Sequence, residues 1–244
     1  MKSQNKGVLY LAIGEDYLAL ALKSISYLRA TTYAGSIRLV TNCDCVEISN
    51  HLNIEIIFVA VDDESIFNSR YFKTQINQYA YTETLFLDAD TLPIAPIDDI
   101  WEFLNESDLA FALDLHPNVG HVIQNSINDP ERRQLEYQLM QDLELTNEQY
   151  FNSGVMLFKK NELIESFFSS WHTEWLKFRN EDQLALVRAL KMVDGKISTL
   201  PSMWNQRPKK FQSLTDAKAN DIKILHFLSR QRTLLQTFLN TNTA

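Results

Sequence analysis

The chain has 244 residues, of which 45% are hydrophobic and 22% charged, the balance of an ordinary globular protein. That length suits one large domain or two small ones, at about 100–200 residues each, and no linker, repeat or low-complexity stretch divides it. A formal charge of -8 excludes a global attraction to nucleic acid or anionic lipid, and no apolar run approaches the ~20 residues that span a bilayer.

Met1 to Lys6 is polar and runs straight into a strand, so no secretory signal is expected and a cytoplasmic location is. Gly7 to Ile13 is a continuous apolar run, the pattern of a strand buried on both faces. Gly14 to Tyr17 turns the chain, with Glu15 or Asp16 at a helix start. From Leu18 through Leu22, Ile25 and Leu28, apolar residues recur at steps of three and four, which predicts an amphipathic helix. Ile37–Val40 and Ile54–Val61 read as strands. A helix over Asn68–Tyr79 is expected to bury Phe72, Ile76 and Tyr79. Cys43 and Cys45, near His51, lack the second cluster that a four-ligand zinc site needs, and their spacing makes a mutual disulfide awkward. Two reduced thiols are expected.

Leu85-Phe86-Leu87 then drives a strand into the core and ends in Asp88-Ala89-Asp90. In an extended chain side chains at i and i+2 point the same way, so Asp88 and Asp90 converge while Ala89 points away. Two anionic oxygen donors at a strand's carboxyl end form a partial shell for Mn2+ or Mg2+. The competing reading is a surface turn or helix cap, for which Pro93 and Pro96 are the usual markers. Alternating apolar strands and helices up to this point argue for an α/β layered domain with a largely parallel sheet.

A short helix over Ile97–Leu104 and a strand over Leu109–Leu113, ending at Asp114, are expected next. The stretch 115–150 is the most polar and irregular part, with a charged helical piece around Glu131–Leu143; such insertions are functional lids or decoration. Phe151–Phe158 reads as a strand that starts with a polar bend. Leu163, Ile164, Phe167, Phe168, Trp171 and Trp175 form a helical stripe, read as core packing. Glu181-Asp182-Gln183 opens a further helix, and Ile222–Leu228 is the last expected strand, carrying His226. Arg207 with Lys209 and Lys210 is the nearest candidate for a local basic patch.

Five of these stretches, in this order, resemble motifs of the family-8 retaining glycosyltransferases of the GT-A fold. They are Leu11 to Tyr17, FLDADT at 86–91, FNSGVMLF at 151–158, Asp182-Gln183, and Leu225 to Arg232, the last similar to a His-Phe-x-Gly-x-x-Lys segment. The match runs from about residue 7 to 232. The resemblance implies an α/β fold of the GT-A nucleotide-diphospho-sugar transferase type, with a Rossmann-like, mostly parallel central sheet flanked by helices. It also implies one domain over 1–244, with an acceptor-side insertion at 115–150.

The activity it implies is transfer of a hexose from a nucleotide diphosphate sugar, a UDP-sugar above all, to an acceptor glycan, lipid-linked glycan or protein, with Mn2+ or Mg2+ as cofactor. Asp88, Asp90 and His226 are then the metal ligands. Leu11, Ile13, Gly14, Tyr17, Lys73, Ala89, Asp114, Asn152, Ser153 and Arg232 would join Asp88 and Asp90 in holding the donor. Asp182 and Gln183 would be the catalytic pair, with double displacement and front-face attack both open. The chain departs from the family pattern at Ser229 (Gly) and Arg232 (Lys). The residues themselves leave blander readings beside these: a packed His226, a surface Lys73, and acidic residues at a helix start for Glu181-Asp182. Two rival functions stand: a haloacid dehalogenase-like phosphatase, whose nucleophile motif is also apolar-Asp-x-Asp-x-Thr, and a nucleotide-sugar-binding protein without turnover.

Overall fold

The computed structural model describes residues 6–44, 51–61 and 66–227, together with Leu235 and Phe238. Seven strands form the central sheet: β1 (Lys6–Ala12), β2 (Ser36–Thr41), β3 (Glu55–Phe58), β4 (Glu83–Asp88), β6 (Leu109–Leu113), β7 (Phe151–Lys159) and β8 (Ile197–Leu200). Their order is β3-β2-β1-β4-β7-β6-β8. A separate two-stranded ribbon pairs β5 (Thr91–Pro93) with β9 (Ile224–His226). The helices are α1 (Glu15–Ala30), α2 (Ile66–Lys73), α3 (Val119–Ser126), α4 (Pro130–Asp142), α5 (Glu162–Leu176), α6 (Asp182–Lys191) and α7 (Leu214–Ala219).

The place of β1 in the sheet explains why its sequence is apolar from Val8 onward. Val8, Tyr10 and Ala12 pack on one side of the sheet with Leu18, Ala21 and Ile25 of α1. Leu9, Leu11 and Ile13 pack on the other, in the same cluster as Phe167, Phe168 and Trp171 of α5. The aromatic stripe of α5 is thus core, as its spacing predicts. β4 repeats the pattern: Leu85 and Leu87 face the α1 side and Phe86 the α5 side.

From β1 the chain winds outward through β2 and β3, then returns to place β4 on the other side of β1. Ligands of open α/β sheets bind at this reversal, outside the carboxyl ends of the strands. β7 is the one strand that runs antiparallel to its neighbours β4 and β6. Its reversal brings its amino end, Phe151-Asn152-Ser153, to the same edge as the carboxyl ends of β4 and β6. The mostly parallel sheet is as expected.

Several local expectations change. The helix expected over 68–79 stops at Lys73, and a 3-10 turn follows over Ile76–Tyr79. Thr74 Oγ1 donates to the carbonyls of Arg70 and Tyr71 there, a side-chain competitor of the helix ladder. Ile76 is buried, whereas Phe72 and Tyr79 are half-buried. The piece over Asp98–Leu104 is 3-10 rather than α. The third strand shortens to Glu55–Phe58 and the last to Ile224–His226. β8 and α7 have no counterpart in the sequence reading: only Leu200 of β8 is buried, so no apolar period marks it.

The 115–150 stretch is built of two helices with their own core. Val119, Ile123, Met140 and Tyr150 close around Leu184 and Val187 of α6. It is a wall against α6. Arg207 is buried while Lys209 and Lys210 are exposed, so the three do not form a basic patch. Cys43 is buried, and Cys45 lies outside the described residues. Among the described residues no helix is long and apolar enough to cross a membrane.

Candidate active site

The cleft at the β1/β4 edge is built mainly from β4, β9, α2 and α6, with β1, α1 and β7 completing its border. β4 delivers Asp88, and the turn at 89–90 delivers Asp90, closed by Thr91 Oγ1 donating to Asp88 O over 2.7 Å. The two carboxylates therefore share the cleft because the chain turns after Asp88. The i, i+2 rule of an extended strand gives the right outcome for a different reason. Ala89 tucks into the core below them, yet still touches the cleft.

β9 supplies His226. Its pairing with β5 sets Thr91 opposite His226, and Phe227 N donates to Asp90 O at 2.9 Å. His226 Nε2 thereby lies 3.2 Å from Asp90 Oδ1, and one ligand atom from each of Asp88, Asp90 and His226 falls within 4.8 Å of the others. No other such group of three exists among the described residues.

The remaining side of His226 is held by amides. Gly154 N donates to Asn152 Oδ1 at 2.9 Å, which fixes that amide's orientation because a backbone N–H can only donate. Asn205 Nδ2 donates to the same oxygen at 2.8 Å, leaving Asn205 Oδ1 to face His226 Nδ1, also at 2.8 Å. Nδ1 then donates to Asn205 Oδ1, and Nε2 is turned toward the acid pair. An imidazole nitrogen beside two carboxylates is a donor set that fits Mn2+ or Mg2+, and Asn205 is the hydrogen-bonded partner that ligating histidines need to hold the ring. The fit also depends on Gly154: a Cβ there would lie 2.1 Å from His226 Cε1.

α2 brings cations to the opposite wall. Lys73 Nζ lies 2.8 Å from Asp88 Oδ2 and 3.6 Å from Asp182 Oδ2, while Arg70 Nε is 3.8 Å from Asp182 Oδ1. Burial works against the Lys73 ammonium, but Asp182 and Asp88 outweigh it and hold its pKa above the ordinary lysine value. The buried Lys73 is not a surface lysine. Burial raises the Asp88 carboxyl above its usual range despite Lys73.

Asp182 opens α6, with its carbonyl accepting from Trp171 Nε1 at 2.8 Å. Ser153 Oγ donates to its Oδ2 at 2.6 Å. Burial pushes the Asp182 pKa up, yet Lys73, Arg70 and Ser153 together hold it below the carboxylate range. Gln183 Nε2 is pinned to Phe151 O at 2.9 Å.

Of the residues expected from sequence, Leu11, Tyr17, Lys73, Asp88, Ala89 and Asp90 line this cleft, as do Asn152, Ser153, Asp182, Gln183 and His226. Three fall elsewhere. Ile13 is buried in the core, and Gly14 caps α1 at φ 88, a left-handed conformation that favours glycine, with its N–H bound to Asn42 Oδ1. Asp114 sits in an adjoining cleft, where Asn152 Nδ2 and Arg207 Nη2 approach its Oδ2 at 3.0 and 3.3 Å. Ser229 and Arg232 lie outside the described residues. The sequence reading missed Ser69, Arg70, Asn205 and Arg207. Arg70 had a signal, since it stands three residues from Lys73 on one helix face; Asn205 had none, and Arg207 stood out only as a basic residue near Lys209 and Lys210.

A family model described as "Glycosyl transferase family 8" matches residues 19–231. The chain belongs to glycosyl transferase family 8. This family-8 glycosyltransferase therefore is not a haloacid dehalogenase-like phosphatase, and its Asp-x-Asp motif ends the fourth strand in sequence, not the first. Solved structures share its fold. The bifunctional glycosyltransferase WbbM superposes with a TM-score of 0.65 at 16% identity over 94% of this chain, which spans only 46% of WbbM. The galactosyltransferase LgtC in complex with donor and acceptor sugar analogs gives 0.63 at 16% identity, covering 91% of this chain and 87% of LgtC. Mouse xyloside xylosyltransferase 1 gives 0.58 at 16%, covering 92% and 98%. These relatives carry the GT-A α/β fold. No curated protein matches the chain by sequence.

Proposed function

We infer that this protein is a metal-dependent retaining glycosyltransferase that moves a hexose from a UDP-sugar to a hydroxyl acceptor. The observation that carries this reading is the gathering of Asp88, Asp90 and a His226 oriented by Asn205 at the sheet edge where α/β folds bind nucleotides. A divalent cation bound by these three supplies Lewis-acid stabilisation to the departing diphosphate.

The chain's own residues supply the rest. Tyr17 and Leu11 border the cleft at the end of β1, suited to covering the uracil base. Lys73 and Arg70 present positive charge toward the phosphates. In the transfer the acceptor oxygen bonds to the anomeric carbon and the bond from that carbon to the diphosphate oxygen breaks. The electron pair leaves with the diphosphate, which also takes the acceptor's hydroxyl proton.

Asp182 is an ion-paired carboxylate of depressed pKa, hydrogen-bonded by Ser153. Such a group is a weak nucleophile but a good electrostatic partner for an oxocarbenium-like centre. Its setting favours front-face departure and attack over double displacement, with Gln183 orienting the sugar.

The test is incubation with Mn2+ and a panel of uridine and guanosine diphosphate sugars, following nucleotide diphosphate release. Turnover with a UDP-sugar that is lost in Asp90→Asn is expected. Binding of UDP-sugar and metal with no turnover, even with acceptor present, would point instead to a protein that only holds the nucleotide sugar.

A further inference from the structure

A second cleft opens beside the first, and Gln183 lines both. Its other polar walls include Asp114, His116, Tyr150, Glu181 and Arg207. Asp114 is carried there by the end of β6, and its backbone N–H is fixed to Tyr150 O at 2.8 Å.

Arg207 is the unusual member. Only 9% of it is exposed, and Nη2 reaches Asp114 Oδ2 at 3.3 Å. Its Nη1 is buried with no protein partner. Buried donors are nearly always paired, because leaving one unpaired forfeits its hydration without return. The guanidinium thus retains a donor for a ligand of this cleft.

The charges decide what kind of ligand. Arg207 is matched by Asp114, and Glu181 is matched by Arg132. The walls leave no surplus positive charge, and a carboxylate or phosphate placed against Arg207 would stand beside the Asp114 carboxylate. A sugar hydroxyl suits both groups, since it accepts from Nη1 and donates to Asp114. The His116 and Tyr150 rings, 6.3 Å apart between centroids and edge-to-face, add aromatic surface against which the C–H face of a pyranose can rest.

We propose that this second cleft binds the acceptor, that it selects neutral glycosides over anionic ones, and that Arg207 is the specificity-determining residue. The proposal rests on the transferase reading above.

It is tested by saturation-transfer NMR on the full chain with Mn2+ and UDP. The probes are methyl glycosides of glucose, galactose and N-acetylglucosamine, set against the matching uronates and 6-phosphates. Neutral glycosides are expected to bind and the anionic ones to bind at least tenfold more weakly. Arg207→Met should weaken the neutral glycosides at least tenfold. Ser126→Trp, at an exposed position that also lines the cleft, should do the same without touching the buried Arg207–Asp114 pair. Tighter binding of the anionic probes, binding unchanged in both variants, or no binding by any probe overturns the proposal. Binding of UDP and Mn2+ by the same preparation keeps the two readings apart. Binding of UDP and Mn2+ without glycoside binding sinks only this proposal, whereas no binding of UDP and Mn2+ sinks the transferase reading.

Discussion

His226 Nδ1 lies 2.8 Å from Asn205 Oδ1, and that one bond decides which ring nitrogen faces the acidic pair. Because Asn205 is itself oriented through Asn152 by the Gly154 backbone N–H, a strand in the central sheet sets the ring orientation of a residue in a separate ribbon. Replacing Asn205 with Ala frees the ring to flip. Mn2+ affinity, measured by calorimetry or EPR on the protein alone, should fall about 10- to 100-fold, the scale seen when a ligating histidine loses its hydrogen-bonded partner. An unchanged Kd would remove Asn205 from this role.

Gly154→Ala tests the same centre by steric means. The added methyl would sit 2.1 Å from His226 Cε1, and the ring has to move away. Mn2+ binding should be lost or weakened at least as much as in Asn205→Ala, because the ligand itself is displaced. A crystal structure of the variant with His226 in place would contradict this.

Asp182→Asn keeps the shape of the α6 start and removes its charge. If Asp182 stabilises a developing positive centre, kcat should drop by about 10²–10³, the scale of one preorganised electrostatic contact. KM for the donor should move little. Trapping of a covalent glycosyl–Asp182 adduct on the native enzyme by mass spectrometry would instead establish double displacement.

The same carboxylate makes a pH prediction. Folding depresses the Asp182 pKa, so on acidification the unfolded chain takes up this proton first. Its contribution to stability is present above the ordinary aspartate value of about 3.9. It is lost as the pH falls through the depressed folded value. The stability difference between the native protein and Asp182→Asn should therefore be level near neutrality and shrink in acid, as read by urea unfolding at several pH values.

Arg188 is 1% exposed, with Nη1 on Glu136 of α4 and Nε on Glu174 of α5, each at 2.8 Å. It ties the wall formed by the 115–150 stretch to the helix that begins with Asp182. Arg188→Met removes the most buried partner of two carboxylates, leaving Glu136 with Arg132 at 3.6 Å and Glu174 with Lys177 at 2.7 Å, and should cost about 3 kcal/mol of stability, the low end for a broken buried pair. Burial already raises the Glu136 pKa with Arg188 in place. Without the arginine it rises further, so the stability penalty should narrow as the pH is lowered and Glu136 takes up a proton.

The sequence alone determined the layered α/β class, since runs apolar at every position, such as Val8–Ile13 and Leu85–Leu87, suit strands covered on both faces. It also determined the acid pair that ends β4 and most side chains of the first cleft. Residue type and local spacing report burial and chemistry, which is why these were legible. What the tertiary structure decided is partnership. β7 runs backwards, so Asn152 and Ser153 reach the cleft edge; β9 pairs with β5, so His226 meets Asp90; Arg207 turns inward to Asp114 while Lys209 and Lys210 stay in water. A periodic pattern states that a side chain is covered, but which distant segment covers it depends on strand direction and register. Those are settled by the packing of the whole sheet.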